Sequence, residues 1–287
     1  MSWRIVTVAS RCKLECRLDY LISRGEQTLK VHLSEIAVLI VENTAVSITA
    51  SLLAELVARK IKVIFCDERH NPAAELTPMS LRYDTSGQLL KQIAWTEEER
   101  ARIWTYIIEQ KIYRQREVLL EYHHVEAAAL LQGYIDELQI GDATNREGHA
   151  AKVYFNALFG LEFSRQKECA TNHALDYGYS ILLSAVNRAV AALGYSPNLG
   201  IWHHNEFNHF NLSCDLMEPL RPLVDKYVLR LNGDKLDADV KHTLQQIINT
   251  EVTFATKRYA LNTALPLYVR SVTTSIEQGG TPQFCAL

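Results

Sequence analysis

Residues 200–225, GIWHHNEFNHFNLSCDLMEPLRPLVD, gather three histidines, three asparagines and four carboxylates around two prolines. Imidazole and carboxylate groups converging beside a helix start can hold a divalent metal, and a bound metal can polarise a phosphoryl or carbonyl oxygen. Spacing does not choose among His203, His204 and His209. Ser213 is a credible helix cap, which places Asp215 in the first turn, where its charge complements the positive helix end. Glu218 precedes Pro219, and proline pushes the residue before it away from helical backbone; with Pro222 close behind, the kink can turn one side chain inward.

A further carboxylate comes from TNREGHAAKVYFNALFG, residues 144–160. Glu147 shares a helical register with Ala151, Tyr154 and Leu158, at offsets of four, seven and eleven, and so lies on the buried stripe, while His149 projects to solvent on the opposite side. Thr144 and Glu147 also match a capping box, in which the glutamate bonds back to the cap amide. The apolar register pulls the other way, because a carboxylate aimed into a core needs a partner or a metal. From the residues alone, the candidate site is Glu147, one of the adjacent His203 and His204, and a carboxylate from Asp215 or Glu218. Two carboxylates with one imidazole suit magnesium or manganese, whereas zinc draws on more nitrogen or sulfur. Asn172 heads another apolar stripe, Leu175, Tyr179, Leu182 and Val186, where an amide would bond a carboxylate or backbone groups.

Two kinds of element must position these groups. Leu14, Cys16, Leu18, Tyr20 and Ile22 alternate, and a Ser-Arg-Gly-Glu turn leads to Leu29, Val31 and Leu33, which together predict a hairpin. Strands over 36–41 and 62–66 enclose a helix over 47–59. The intervening Glu42-Asn43-Thr44-Ala45 lacks the glycines of a phosphate-cradling turn, so nucleotide binding is set aside. Residues 71–95, with Pro72, Pro78 and Gly87, read as a linker. Beyond them helical spacing dominates, with helices over 95–138, 143–159, 169–193, 213–231 and 237–264. The fold class is α+β: a β-rich domain with one helix over 1–70, then a larger all-α domain over 96–287.

Composition narrows the class of function. At 287 residues and 48% hydrophobic, the chain can bury a substantial core. It shows no apolar segment of signal-peptide or membrane-span length, which predicts a cytoplasmic protein with no membrane partner. Six cysteines without a CxxC pair predict buried, reduced thiols. A net charge of −3 offers nucleic acid no global attraction, so any such role rests on local patches such as Arg100, Arg102, Lys111, Arg114 and Arg116, or Lys257 and Arg258. Each patch reads equally as a solvated face with ordinary ion pairs.

Residues 143–160, NHALDYGYSILLSAVNR and above all FNHFNLSCDLMEPLRPLVD resemble the CRISPR-associated integrase "Cas one". WRIVTVASRCKLECRLDYLISR and FCDERHNPAAEL resemble the version found in single-effector (type II) systems. The likeness covers essentially the whole chain. It implies a metal-dependent DNA endonuclease and integrase, joining the 3′-hydroxyl of a captured DNA fragment to CRISPR repeat DNA by transesterification. It implies Mg2+ or Mn2+ held by Glu147, His203 and Glu218, with His203 chosen over His204 by its distance of fifteen positions before the acid, and Asp215 as an accessory acid. It further implies a homodimer joined through its β domains, a smaller "Cas two" partner, and the effector nuclease and other adaptation proteins as associates. DNA-contacting residues are not assigned. The competing expectation is a non-catalytic DNA-binding scaffold of the same complex; an unrelated metal phosphohydrolase lacks any supporting HD or paired-Asp motif.

Overall fold

The computed structural model describes residues 4–68, 72–76, 85–231 and 236–287. The chain divides into two compact units, residues 1–80 and 81–287. The α+β class holds, with strands first and helices after.

The first unit carries β1 (Arg4–Val8), β2 (Lys13–Arg17), β3 (Tyr20–Arg24), β4 (Thr28–His32), β5 (Ile36–Val41), β6 (Ser47–Ile48), α1 (Ala50–Ala58), β7 (Lys62–Cys66) and β8 (Pro72–Leu76). They form two four-stranded sheets, ordered β1-β5-β7-β8 and β4-β3-β2-β6. β5 pairs in parallel with β1 and β7 and is buried along its whole length, as its unbroken IAVLIV run requires. The run expected to be one strand from Lys13 to Ile22 is two, because Leu18 and Asp19 adopt positive φ (49° and 65°) and turn the chain. Two successive residues at positive φ make the tight turn whose twist matches antiparallel strands, so the hairpin is a three-stranded meander and Leu18 is exposed. Thr49 caps α1 by accepting from the Leu52 N–H at 3.3 Å, two residues inside the expected start.

The second unit contains α2 (Thr85–Ile93), α3 (Glu97–Glu121), α4 (Val125–Asp136), α5 (Arg146–Phe159), α6 (Ala170–Ala192), α7 (Asn211–Met217), α8 (Arg221–Leu229), α9 (Ala238–Gln245), β9 (Glu251–Phe254), β10 (Lys257–Ala260) and α10 (Leu261–Gln278). The segment expected to be a linker therefore holds β8 and α2; Pro78 and residues 69–71 of the FCDERHNPAAEL likeness lie outside the described residues. Nor is the unit all-α. The helix expected over 237–264 gives way to an antiparallel β9–β10 hairpin, turned by positive φ at Ala255 and Thr256, before α10 begins. The β-branched and aromatic residues of EVTF and KRYA suit that pairing.

α3 starts on a true capping box: Thr96 Oγ1 accepts from the Glu99 N–H, and Glu99 Oε2 accepts from the Thr96 N–H at 2.8 Å. α6 is buried on nearly every side, including the whole stripe from Asn172 to Val186. Gly178 lets it approach α8, since a Cβ there would sit 2.5 Å from Val224 Cγ1.

Candidate metal site and its supporting shell

Glu147 lies in the first turn of α5, but the capping box expected of Thr144 does not form. Asn145 takes left-handed backbone (φ 52°), and the carboxylate of Asp142 accepts from the Arg146 and Glu147 N–H groups at 2.6 and 3.0 Å. Asp142 thus serves the helix end, while Thr144 Oγ1 is buried without a hydrogen-bond partner. Released from capping, Glu147 accepts from Lys111 Nζ through Oε1 at 2.5 Å.

Glu218 accepts from the same ammonium. Its Oε2 lies 2.5 Å from Lys111 Nζ, and Oε1 accepts from Arg221 Nε at 2.8 Å. The side chain is almost fully buried, as the proline argument anticipated, although Glu218 itself keeps helical dihedrals. The break comes as a short 3-10 turn, Glu218–Leu220, that joins α7 to α8 and splits the single helix expected over 213–231. Burial opposes a charge on Glu218, but Arg221 and then Lys111 outweigh it and bring the carboxyl down to about 2. Burial likewise disfavours the Lys111 ammonium, yet Glu218 and Glu147 hold its pKa above the ordinary lysine value. Arg221 also lies over the Tyr179 ring at 4.7 Å, and Tyr179 in turn donates to buried Asp225.

Lys111, which the sequence offered to a phosphate-binding patch or a solvated face, is instead buried at the site. It stands on the buried stripe of α3 with Trp104, Ile108 and Gln115. The offset test that marked Glu147 would have marked it equally, since a cation on an apolar stripe also demands a partner.

His203 belongs to the loop before α7. Asp215 is fully buried and accepts from the backbone N–H groups of Ile201 and Trp202 at 2.6 and 2.8 Å, from that of His203 at 3.3 Å, and from His203 Nδ1. Its expected service to the helix end is thereby corrected: Ser213 lies inside α7, its hydroxyl bonded to Asn187, and Asp215 fastens the loop instead. The Asp215 bond raises the His203 pKa against the pull of burial, and burial raises that of Asp215. His203 packs edge-on to Trp104 at 5.5 Å, and Trp202 stacks on the same indole at 5.8 Å. The His203 side chain is 46% accessible, and its Nδ1 is committed to Asp215. His204 and His209 are exposed.

Two further side chains anchor the loop. Asn211 Nδ2 donates to the carbonyls of Asn198 and Asn205 at 3.0 and 2.9 Å. Gln92 of α2 donates to the carbonyls of Ser196 and Leu199 and accepts from the Ser196 N–H. Gly200 permits the closure, because a Cβ there would lie 2.3 Å from the His203 carbonyl oxygen.

The structure thus joins Glu147 and Glu218 through one ammonium and holds His203 separately on Asp215. Among the described residues no three His, Cys, Asp or Glu side chains stand together as a metal-holding group. Asn172 takes the backbone option, donating to the carbonyls of Ser164 and Lys167 at 2.8 and 2.7 Å. Of the α3 cations, Lys111 is buried, Arg102 donates to the Gly280 and Ser275 carbonyls, and Arg114 to that of Cys285. Arg258 pairs with Glu251 across the β9–β10 hairpin at 3.1 Å. The six cysteines are free thiols, and no helix among the described residues is long and apolar enough to cross a membrane.

The family model described as CRISPR associated protein Cas1 matches residues 12–251. The chain is similar to the CRISPR-associated endonuclease Cas1 of Neisseria meningitidis serogroup C (strain 8013), with 33% identity over 290 residues covering 99% of this chain and 95% of that protein. Among solved structures it resembles a casposase bound to integration product, with a TM-score of 0.79 and 17% identity over 98% of this chain and 92% of the other. It also resembles a Cas6-RT-Cas1–Cas2 complex, with a TM-score of 0.73 and 19% identity over 95% of this chain and 35% of that one. At such identities the two structures speak to the fold.

Proposed function

Because the chain belongs to the CRISPR-associated Cas1 family, we propose that it is a metal-dependent DNA endonuclease and integrase that joins the 3′-hydroxyl of a captured DNA fragment to CRISPR repeat DNA by transesterification. The observation that carries the reading is the meeting of Glu147 and Glu218, 71 positions apart in sequence, on one cationic point.

Donor chemistry supports a hard divalent ion there. Two carboxylates share a cation, and the nearby imidazole has one nitrogen tied to a buried carboxylate, the arrangement by which a histidine ligand is oriented toward a metal. Glu147, His203 and Glu218 would hold Mg2+ or Mn2+, an ion that supplies positive charge to a phosphodiester oxygen and eases the attacking or leaving oxygen. The chain's own groups prepare the site. Arg221 and Lys111 keep Glu218 ionised, Asp215 fixes the ring and backbone of His203, and Trp104 backs the imidazole. Asp142 relieves Glu147 of the capping role, leaving its carboxylate for the site.

The partners are DNA, a second copy of this chain and a Cas2-type subunit. The DNA and Cas2 assignments draw support from neighbours described as bound to integration product and as a Cas1–Cas2 complex. In the test, purified protein, its small partner and Mg2+ or Mn2+ are mixed with a short duplex and repeat DNA. Insertion is expected, and it should disappear in folded Glu147→Ala; normal insertion by that variant sinks the assigned site.

A further inference from the structure

Lys111 gives the site a resting charge that the metal reading alone does not explain. Its ammonium lies 2.5 Å from Glu147 Oε1 and 2.5 Å from Glu218 Oε2, with only 9% of the side chain exposed, and Arg221 Nε occupies the other Glu218 oxygen at 2.8 Å. Two carboxylates thus face two cations, and the group is neutral. Burying a charge is unfavourable unless it is paired and hydrogen-bonded, so this ammonium is held in place by the two glutamates and holds them together in return. A divalent ion binding the same carboxylates meets a charge already there, and without compensation it leaves the group two positive charges in excess.

We propose that Lys111 is a tethered counter-cation: it keeps Glu147 and Glu218 assembled and neutral, a divalent ion must displace it from both carboxylates, and DNA phosphates, by absorbing the excess charge, make metal loading depend on DNA. The inference rests on the metal reading above. Because coupling between two ligands is reciprocal, metal tightens DNA binding by the factor by which DNA tightens metal binding.

The experiment measures Mn2+ affinity by electron paramagnetic resonance of the free ion, with and without a short duplex, for the full chain and for Lys111→Met, Lys111→Arg and Glu147→Ala. Removing one adjacent positive charge is expected to tighten Mn2+ binding without DNA on the order of tenfold or more in Lys111→Met, and to shrink the gain that DNA confers. Lys111→Arg should weaken binding, since a guanidinium grips two carboxylates in a fixed fork and is harder to displace. Wild-type Mn2+ affinity in both Lys111 variants overturns the proposal; if Lys111→Met fails to fold, unchanged affinity in Lys111→Arg overturns it alone. Undiminished Mn2+ binding by Glu147→Ala overturns the metal reading itself and this inference with it, whereas loss in Glu147→Ala with no response to Lys111 defeats the counter-cation only.

Discussion

Asp215 holds His203 twice over, by the ring at Nδ1 and by the backbone N–H, while the neighbouring Ile201 and Trp202 amides share the same carboxylate. Asn at this position keeps the shape, removes the charge and turns an NH2 group toward donors. Asp215→Asn should lower unfolding stability by about 2–3 kcal/mol, the scale of buried hydrogen bonds to a charged group. It should also weaken Mn2+ binding roughly 10–100-fold, as losses of groups supporting a ligand do. Urea unfolding with Mn2+ titration checks both, and an unchanged urea midpoint counts against Asp215 as the fastener of this loop.

Gly200 makes the same closure possible from the other side. Its missing Cβ would lie 2.3 Å from the His203 carbonyl oxygen and 2.9 Å from Asp215 Oδ2, and the first of these is backbone that cannot rotate aside. Gly200→Ala is expected to cost about 1–3 kcal/mol through forced displacement of the loop. The ring signals of His203 in nitrogen-labelled protein should shift with it; an unmoved His203 spectrum would show that the loop tolerates the methyl.

Beneath the site, Asp225 is buried and accepts from Tyr154 at 3.0 Å and from Tyr179. Burial raises its carboxyl to about 6, against the pull of the two phenols and Arg221. The folded state therefore binds the proton more tightly than the unfolded state does. This contribution to stability is full below the unfolded carboxyl pKa of about 4 and is lost as pH rises through about 6, with an upper bound near ~3 kcal/mol. Asp225→Asn should flatten that part of the stability curve. Equal slopes for variant and wild type between pH 4 and 6 would refute it.

Arg114, one of the basic residues considered for DNA contact, instead donates to the Cys285 carbonyl, next to the bridge pairing Thr253 with Ala286. Arg114→Ala should lower stability by about 1–3 kcal/mol while leaving the salt dependence of DNA binding unchanged. A shallower salt slope would restore Arg114 to the DNA track.

Much of the architecture follows from local pattern. The buried run of β5, the long stripe of α6 and the inward register of Glu147 are properties of a few adjacent turns or pleats, so they are readable from spacing. Turns carried by non-glycine residues at positive φ left a weaker mark: the Leu18-Asp19 reversal and the Ala255-Thr256 hairpin contain no glycine, and each was absorbed into a longer element.

The chemistry divides along the same line. Residue types, periodicity and the motif around Glu218 were enough to nominate Glu147, His203 and Glu218, because ligand identity is a matter of composition and resemblance. What each nominee touches was decided by tertiary structure. Lys111 reaches Glu147 across 36 positions and Glu218 across 107, and Asp215 reaches back 12 to bond His203. A capping glutamate and a glutamate turned toward a distant partner look identical in a four-residue window. They separate only when Asp142 takes the helix end and a distant ammonium arrives to meet the freed carboxylate, since a charge in a low-dielectric interior is fixed by whichever partner the whole fold brings to it.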